Sequence, residues 1–522
     1  MKHYTHSRTL QLLLTMLAIV IMVFTVQMLP TGQLKTANAA ALAQKPVTGN
    51  PIQRENLLPG TPDWRITNPS PLDPRSNSYV GIEGYSSVTS VAAGNTISFA
   101  VNTNTTTFNA DIYRLGWYQG SGARLEQTLS GLAGHSYSIP APRSRDGLVQ
   151  ANWPSAFAIT IPSTWVSGEY LVKLTNANGL QGYIPFEVKS FRKSDFVFIH
   201  SVNTDEAYNT WGGTSLYQDL TQRLAVGRAY KVSFDRPFSQ FYGAGHIFYW
   251  EYPMIRWLEK NGYDVSYISD LDANNSSTIL QGHHGVLVVG HSEYWSGSMR
   301  SHLQAAISSG VNLGAFGGNQ IYWQVRYESS STHVPNRVMT CYKDASLDPL
   351  NNINNNAVTV EWRSQPVTNA EQILLGSMSS SMVSQGYPWV VNNAASWVFA
   401  GTNLQNGDSI PGLVGYEYDR VFTTVPFAYP TPTTITGADG VDGVEVLSAS
   451  PVTDTYNNAD VSNSTLYTAP GGARVFNAGT IQWSWGLDDY ESATALSTAA
   501  QQITANILHN FVTGSTTAAT LG

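Results

Sequence analysis

The sequence predicts two unlike parts. A β-sandwich covers residues 76–192, and a doubly wound α/β domain with inserted strands covers 193–515. Three observations predict this. Short alternating segments separated by Gly, Asn or Pro fill the chain to about Val188. From Ser194, apolar runs and helix-spaced segments alternate at the interval of βαβ units. Beyond residue 340, strand-like segments return without intervening helical patterns.

The first segment stands outside the fold. Lys2, His3 and Arg8 precede an apolar stretch from about Leu10 to Met28, and Ala37-Asn38-Ala39 follows. Basic, apolar, then small residues at an A-x-A site is the order of a secretory signal, with cleavage expected after Ala39. The rival reading is an uncleaved anchor, but Gln11, Thr15, Thr25 and Gln27 dilute a stretch that would need ~20 apolar residues to span. The expectation is therefore an exported protein, secreted or held at the cell surface. Removing residues 1–39, with three basic and no acidic side chains, takes the formal charge from −8 to −11. No basic patch is present, which argues against nucleic acid as a partner. Cys341 is the single cysteine, so no intramolecular disulfide can form and core burial must hold the fold.

Residues 40–75 are rich in Pro, Asn and Gln and read as a linker that becomes an ordered strap near Trp64. The sandwich strands are NTISFAVNT, ADIYRLGWY, AFAITIP, GEYLVKLTN and GYIPFEV, with Trp117 and Tyr118 expected as core aromatics inside one of them. Two-sheet packing of this kind is immunoglobulin-like. SDFVFIHS then reads as a strand buried on both faces. MIRWLEKNG has helix spacing and a stop at Gly262. YDVSYISD, HGVLVVGHS and VNLGAFGGNQ are further strands, and SMRSHLQAAISSG is a helix. This alternation matches a flavodoxin- or amidotransferase-like sheet. WVFAGTNL, GLVGYEYD, GVEVLSAS and ARVFNAGT read as inserted strands. The chain closes in a helix with Leu496, Ile503, Ile507, Leu508 and Phe511 as its apolar stripe.

Ligands of open parallel sheets sit at the carboxyl ends of strands. Here VLVVG ends in His291-Ser292-Glu293-Tyr294-Trp295, and LGAFGG ends in Asn319-Gln320. AYNTWGGTSLY follows the strand at 196–201, and Gly212-Gly213 permits a reversal that brings Tyr208 toward Tyr217. Nucleophilic hydrolysis is disfavoured, because the glycine turn at 317–318 carries no thiol or hydroxyl and no Gly-x-Ser-x-Gly elbow occurs. His291 and Glu293, two apart in an extended segment, point to one side. Carboxylate and phenolate oxygens form a hard, anionic set suited to Fe(III). On spacing alone Glu293 serves equally as a helix cap or ion-pair partner, His291 as a core histidine, and Asn319 as a turn residue. Trp211 and Trp295 read as pocket walls.

The stretches AYNTWGGTSLY, YPMIRWLEKNGYDVSYISDLD, GHSEYW and GGNQIYW, with the later GLVGYEYD, resemble the C-terminal catalytic region of the N,N-dimethylformamidase large (β) subunit family, over roughly 75–515. The resemblance implies a mononuclear iron held by two tyrosines and a glutamate, activating water to hydrolyse a tertiary formamide. It places the metal ligands on Tyr208, Tyr217 and Glu293, with Tyr170 as the alternative second tyrosine. It places His291 and Asn319 beside them and Glu417 as general base. The family enzyme works inside the cell with a small helical partner subunit and an extra N-terminal region, none of which this chain shows. The expectation is thus an exported Fe(III)-dependent hydrolase of an amide-type C–N bond in a small molecule. The alternative is a cell-surface protein that binds glycan through exposed sandwich aromatics. Self-association into a homo-oligomer is left open.

Overall fold

The computed structural model describes residues 49–422, 443–490 and 495–521, together with the backbone of two short strands at 424–425 and 433–434. The signal segment expected over 1–39 lies outside the described residues. Among those residues no helix is long and apolar enough to cross a membrane. The architecture is mixed α/β, strand-rich, with several sheets.

Within the described residues the strap is ordered ahead of Trp64. Helix α1 (Pro51–Glu55) is closed by a capping box between Asn50 and Gln53, and Ile52 is fully buried. Trp64 stacks on Phe248 at 5.5 Å.

Eight strands follow: β1 (Ile82–Ser86), β2 (Ser90–Ala92), β3 (Thr96–Thr103), β4 (Thr107–Leu115), β5 (Ala123–Ala133), β6 (Ser155–Thr160), β7 (Gly168–Asn176) and β8 (Gln181–Lys189). They form a five-stranded sheet, β2-β8-β7-β4-β5, and a three-stranded sheet, β1-β3-β6. Phe99 and Phe157 of one sheet and Phe186 and Tyr170 of the other share a core. Trp117 and Tyr118 do not lie in a strand. β4 ends at Leu115, and the pair forms a tight turn in which Tyr118 and Gln119 have positive φ. The five-stranded sheet is buried on its second face as well. Tyr113, Leu115, Leu171 and Tyr183 pack into the core of the α/β part. Period-two alternation therefore divides the apolar residues of β7 and β8 between the two cores.

The α/β part is built on β9 (Phe196–His200), β10 (Val265–Ser269), β11 (Gly285–Gly290) and β12 (Asn312–Gly317), all mutually parallel in the order β10-β9-β11-β12. The late strand Arg474–Asn477 joins parallel to β12, and two antiparallel strands, Thr465–Thr468 and Glu445–Val446, extend that edge. The near-continuous apolar sequence of β9 and β11 is explained by burial on both faces. Val197, Ile199, Val286 and Val288 face Met299, Leu303 and Ile307 of helix Gly297–Ser308. Phe196, Phe198, Leu287 and Val289 share the opposite core with Ile255 and Leu258 of helix Tyr252–Lys260 and with Ile503 and Ile507 of helix Thr498–Thr513. Each such side chain contributes about 1.5–3 kcal/mol on full burial.

Two late expectations differ from the structure. WVFAGTNL is a single 3-10 turn (Trp397–Phe399) followed by loop. Leu496 precedes the last helix, which starts at Thr498, and is 44 % exposed.

Candidate functional site

β9, β11 and β12 each release the chain at the same sheet edge. After β9, helix Val202–Tyr208 carries Tyr208 as its last residue. The chain then reverses through Trp211–Gly213, where Gly212 has φ +79°, and Tyr217 returns beside Tyr208 with ring centroids 4.4 Å apart. Arg236 fixes that reversal from inside. Its fully buried guanidinium donates to Glu206 Oε1 at 2.5 Å and to the carbonyls of Trp211, Thr214 and Asn209 at 3.0, 2.9 and 2.9 Å.

β11 ends at Gly290, whose φ of +65° turns the chain toward the site. A side chain there would place Cβ 2.4 Å from Trp250 Cβ. Gly290→Ala combines a left-handed backbone with that overlap, and we expect a loss of about 2–4 kcal/mol. The urea unfolding midpoint should fall with an unchanged slope.

The side chains delivered by these turns converge. Tyr217 Oη donates to Glu293 Oε1 at 2.6 Å. Tyr208 Oη lies 3.0 Å from Glu293 Oε2 and 3.2 Å from Tyr217 Oη. Glu293 is buried, its amide held by Thr204 Oγ1 at 3.0 Å. The cap of the following helix is Ser296, and the nearest cation to Glu293 is His291 rather than an arginine. His291 Nε2 sits 2.8 Å from Glu417 Oε2 and 3.3 Å from Glu293 Oε2, as ion-pair contacts rather than aligned hydrogen bonds. Asn319 Nδ2 donates to Glu417 Oε2 at 3.0 Å. Asn319 adopts φ +51°, and its amide N donates to Asp419 Oδ1 at 2.8 Å. Glu417 reaches this edge because strand Glu417–Arg420 runs beside the chain leaving Arg474–Asn477, with Ile481 N donating to Glu417 O.

Above these groups opens a cleft of about 620 Å³. Phe241, Tyr249, Trp250, Trp485 and Tyr416 wall it, and Tyr208 and His291 form part of its floor. Such a shape, apolar with a few convergent polar groups, is the usual form of a small-molecule site.

A profile of the N,N-dimethylformamidase beta subunit-like family, C-terminal region, matches residues 109–495. The chain belongs to this family. The matched span contains every residue of the site just described. No curated protein sequence matches the chain. Among solved structures, it is similar to a Paenibacillus sp. cycloisomaltooligosaccharide glucanotransferase complexed with cycloisomaltoheptaose, at 10 % identity, over 61 % of this chain and 63 % of that one. The TM-score is 0.17, so the likeness carries no weight.

Within this family member, Tyr208, Tyr217, Glu293, His291, Asn319 and Glu417 stand together. Tyr170 does not join them. It lies in the sandwich core, stacked on Trp165, with its hydroxyl on Val166 O. Trp211 and Trp295 are not cleft walls. Trp211 packs on Trp153 and donates to Glu83, and Trp295 donates to Ser292 inside the sheet core. Besides Tyr208 and Tyr416, the aromatics that line the cleft come from the 241–250 segment and from Trp485, which the sequence does not mark as a site. Lys343 was also illegible. Its Nζ lies 3.2 Å from the Tyr217 ring centroid, buried and without a hydrogen-bond partner.

The electrostatics are those of an anion-rich pocket. Burial and then the Glu293 charge hold the Tyr208 and Tyr217 hydroxyls well above the usual phenol range. Burial opposes a charged His291, but Glu417 and Glu293 outweigh it and push the imidazole up to about 10. Burial likewise opposes ionisation of Glu293, yet His291 keeps its carboxyl below the ordinary range. Burial pulls the Lys343 ammonium down to about 8. Three oxygen donors at mutual hydrogen-bond distance, two of them phenols that only a strong adjacent positive charge would ionise, fit a hard, highly charged cation.

Proposed function

We propose that the chain is a hydrolase of an amide-type C–N bond, with an Fe(III)-class ion held by Tyr208, Tyr217 and Glu293. The observation that carries this reading is the convergence of those three side chains beneath an aromatic cleft whose floor includes Tyr208 and His291, with Glu417 and Asn319 beside them. A bound ion of this class supplies Lewis-acid polarisation and acidifies water near neutral pH. The chain's own groups supply the rest. Glu417 Oε2 accepts the proton of the attacking water. His291, cationic between two carboxylates, holds Glu417 in place. Asn319 has a second amide proton beyond the one given to Glu417, and donates it to the substrate carbonyl oxygen. The aromatic walls exclude bulk water and select a compact, apolar amide. The same reading takes the two sheets of 76–192 as an immunoglobulin-like sandwich, the parallel sheet of 193–515 as amidotransferase-like, and the protein as exported after loss of 1–39.

Glycan adhesion through the sandwich has less support. Among residues 76–192 most aromatics are packed in cores, the half-buried Trp117 is covered by Arg256 and Lys260, and Phe191 is the large aromatic that stands clearly exposed. The test is elemental analysis and visible absorption of the purified protein, followed by assay on dimethylformamide and bulkier N-alkyl formamides. Iron near one equivalent with amide hydrolysis supports the reading, and a metal-free, inactive protein overturns it. Asn319→Ala should lower kcat by about 10²–10³ with iron retained, as loss of an oxyanion donor does.

A further inference from the structure

Behind the cleft lies a second set of ionisable side chains that the proposed hydrolysis does not use. Glu169 of β7 and Glu187 of β8 are direct cross-strand partners, and both are fully buried. Their neighbours in the strands, Tyr170 and Phe186, face the sandwich core, so alternation turns both carboxylates toward the α/β part. Like charges directly opposite on paired strands destabilise a sheet. The α/β part adds His200 at the end of β9, Asp205, and Asp270 after β10, all buried. Both oxygens of Glu169, Glu187 Oε2, Asp205 Oδ2 and Asp270 Oδ1 accept no hydrogen bond. An uncompensated buried carboxylate costs several kcal/mol; Glu169 has no donor on either oxygen, while Asp205 and Asp270 are each met on the other oxygen only, by His246 Nδ1 and Asn203 N.

The histidine is arranged as a ligand. His200 Nδ1 lies 2.5 Å from Glu251 Oε2, and Glu251 Oε1 is anchored by Ser201 N at 2.9 Å. Donation from Nδ1 leaves the Nε2 lone pair free, which is how carboxylates orient metal-binding histidines. That Nε2 faces Glu187 Oε1 at 3.6 Å and Asp205 Oδ2 at 3.9 Å. Donor atoms of Glu169, Glu187 and His200 all lie within 4.8 Å of one another. A cavity of about 30 Å³ reaches Glu187 and His200.

We propose that Glu169, Glu187 and His200 bind a divalent transition-metal ion, with Asp205 as fourth donor, and that this ion fastens the β7–β8 pair to the parallel sheet. One imidazole with carboxylates suits Zn²⁺ or Mn²⁺ better than Ca²⁺, which prefers oxygen throughout. The site shares no ligand with the proposed iron centre, and its role is structural.

The experiment uses the full chain carrying Tyr208→Phe, so that the cleft site is not counted. Chelator-treated protein is titrated with Zn²⁺ and with Mn²⁺ by calorimetry, and bound metal is measured after gel filtration. The expected result is about one equivalent retained and a raised melting temperature. Adding Glu187→Gln should abolish uptake. It should also make the metal-free protein melt higher than its metal-free parent, because one of two opposed carboxylates is neutralised. Glu169→Gln provides a second, independent variant. Failure of the parent to take up either ion, uptake unchanged by both substitutions, or metal-free Glu187→Gln melting lower than its parent would overturn the proposal.

Discussion

Under the proposed iron-centre reading, Glu293→Gln is expected to abolish metal binding beneath the cleft and remove activity together. The amide is isosteric, and its oxygen can still accept from Tyr217, which donates at 2.6 Å in the native site. The fold around it should persist, because Glu293 N is held separately by Thr204 and its carbonyl accepts from Tyr322 N and Trp323 N. What disappears is the negative charge. Two phenols kept protonated by burial then face a neutral amide, and none of the three proposed ligands carries a charge to start coordination. Loss of a Lewis acid removes several kcal/mol of transition-state stabilisation. At about 4 kcal/mol, kcat falls by about 10³. Elemental analysis should show iron near background, and the visible phenolate absorption should vanish while the far-ultraviolet circular dichroism stays native. A variant that keeps its iron and colour would remove Glu293 from the ligand set and with it the mechanism.

The largest loss of stability is expected from Glu259→Leu. Glu259, on helix Tyr252–Lys260, is bidentate with Arg114 of β4 at 2.6 and 2.9 Å, and both side chains are completely buried. The same carboxylate accepts from Tyr267 of β10 and from Asn56 of the strap, both at 3.1 Å. Arg114 in turn donates to Ser167 O at 2.9 Å. One carboxylate thus joins strap, sandwich and parallel sheet. Removing it strands a guanidinium with no route to solvent, which costs about 3–5 kcal/mol. The companion Arg114→Met/Glu259→Leu should recover most of that loss, since a buried pair replaced by apolar groups of similar volume is often near neutral. Urea unfolding of the two singles and the double gives the coupling directly. A single-variant loss under about 1 kcal/mol would mean that water reaches Arg114.

Much of the site was legible because catalytic positions in a parallel sheet follow strand ends. Gly290 and Gly317-Gly318 close two apolar runs, so His291, Glu293 and Asn319 could be placed at one edge before any packing was known. Tyr208 followed from the strand before it. Tyr217 followed from the glycine reversal before it, Glu417 came only with the family resemblance, and Tyr170 stayed an alternative because nothing local says which face of GEYLVKL meets which core. Lys343, Tyr249 and Trp485 left no trace, since Lys343 reaches the Tyr217 ring, and the other two the cleft, from segments with no periodic signal. The opposed pair Glu169 and Glu187 was equally hidden. Both sit in strands that read correctly as sandwich strands, but the register that sets them side by side is a property of the pairing.

The sequence by itself determined the alternation of sheet and helix, the strand ends where polar groups emerge, and the residue types able to bind a hard cation. These depend on backbone periodicity and on side-chain chemistry, which act within a few residues. Only the tertiary structure decided that Glu417 stands against His291, that Arg236 folds the tyrosine loop back on itself, and that two buried glutamates face a histidine across the two cores. Those contacts join residues far apart in the chain, and they form because packed layers bury apolar surface and leave one arrangement for the charged groups caught between them.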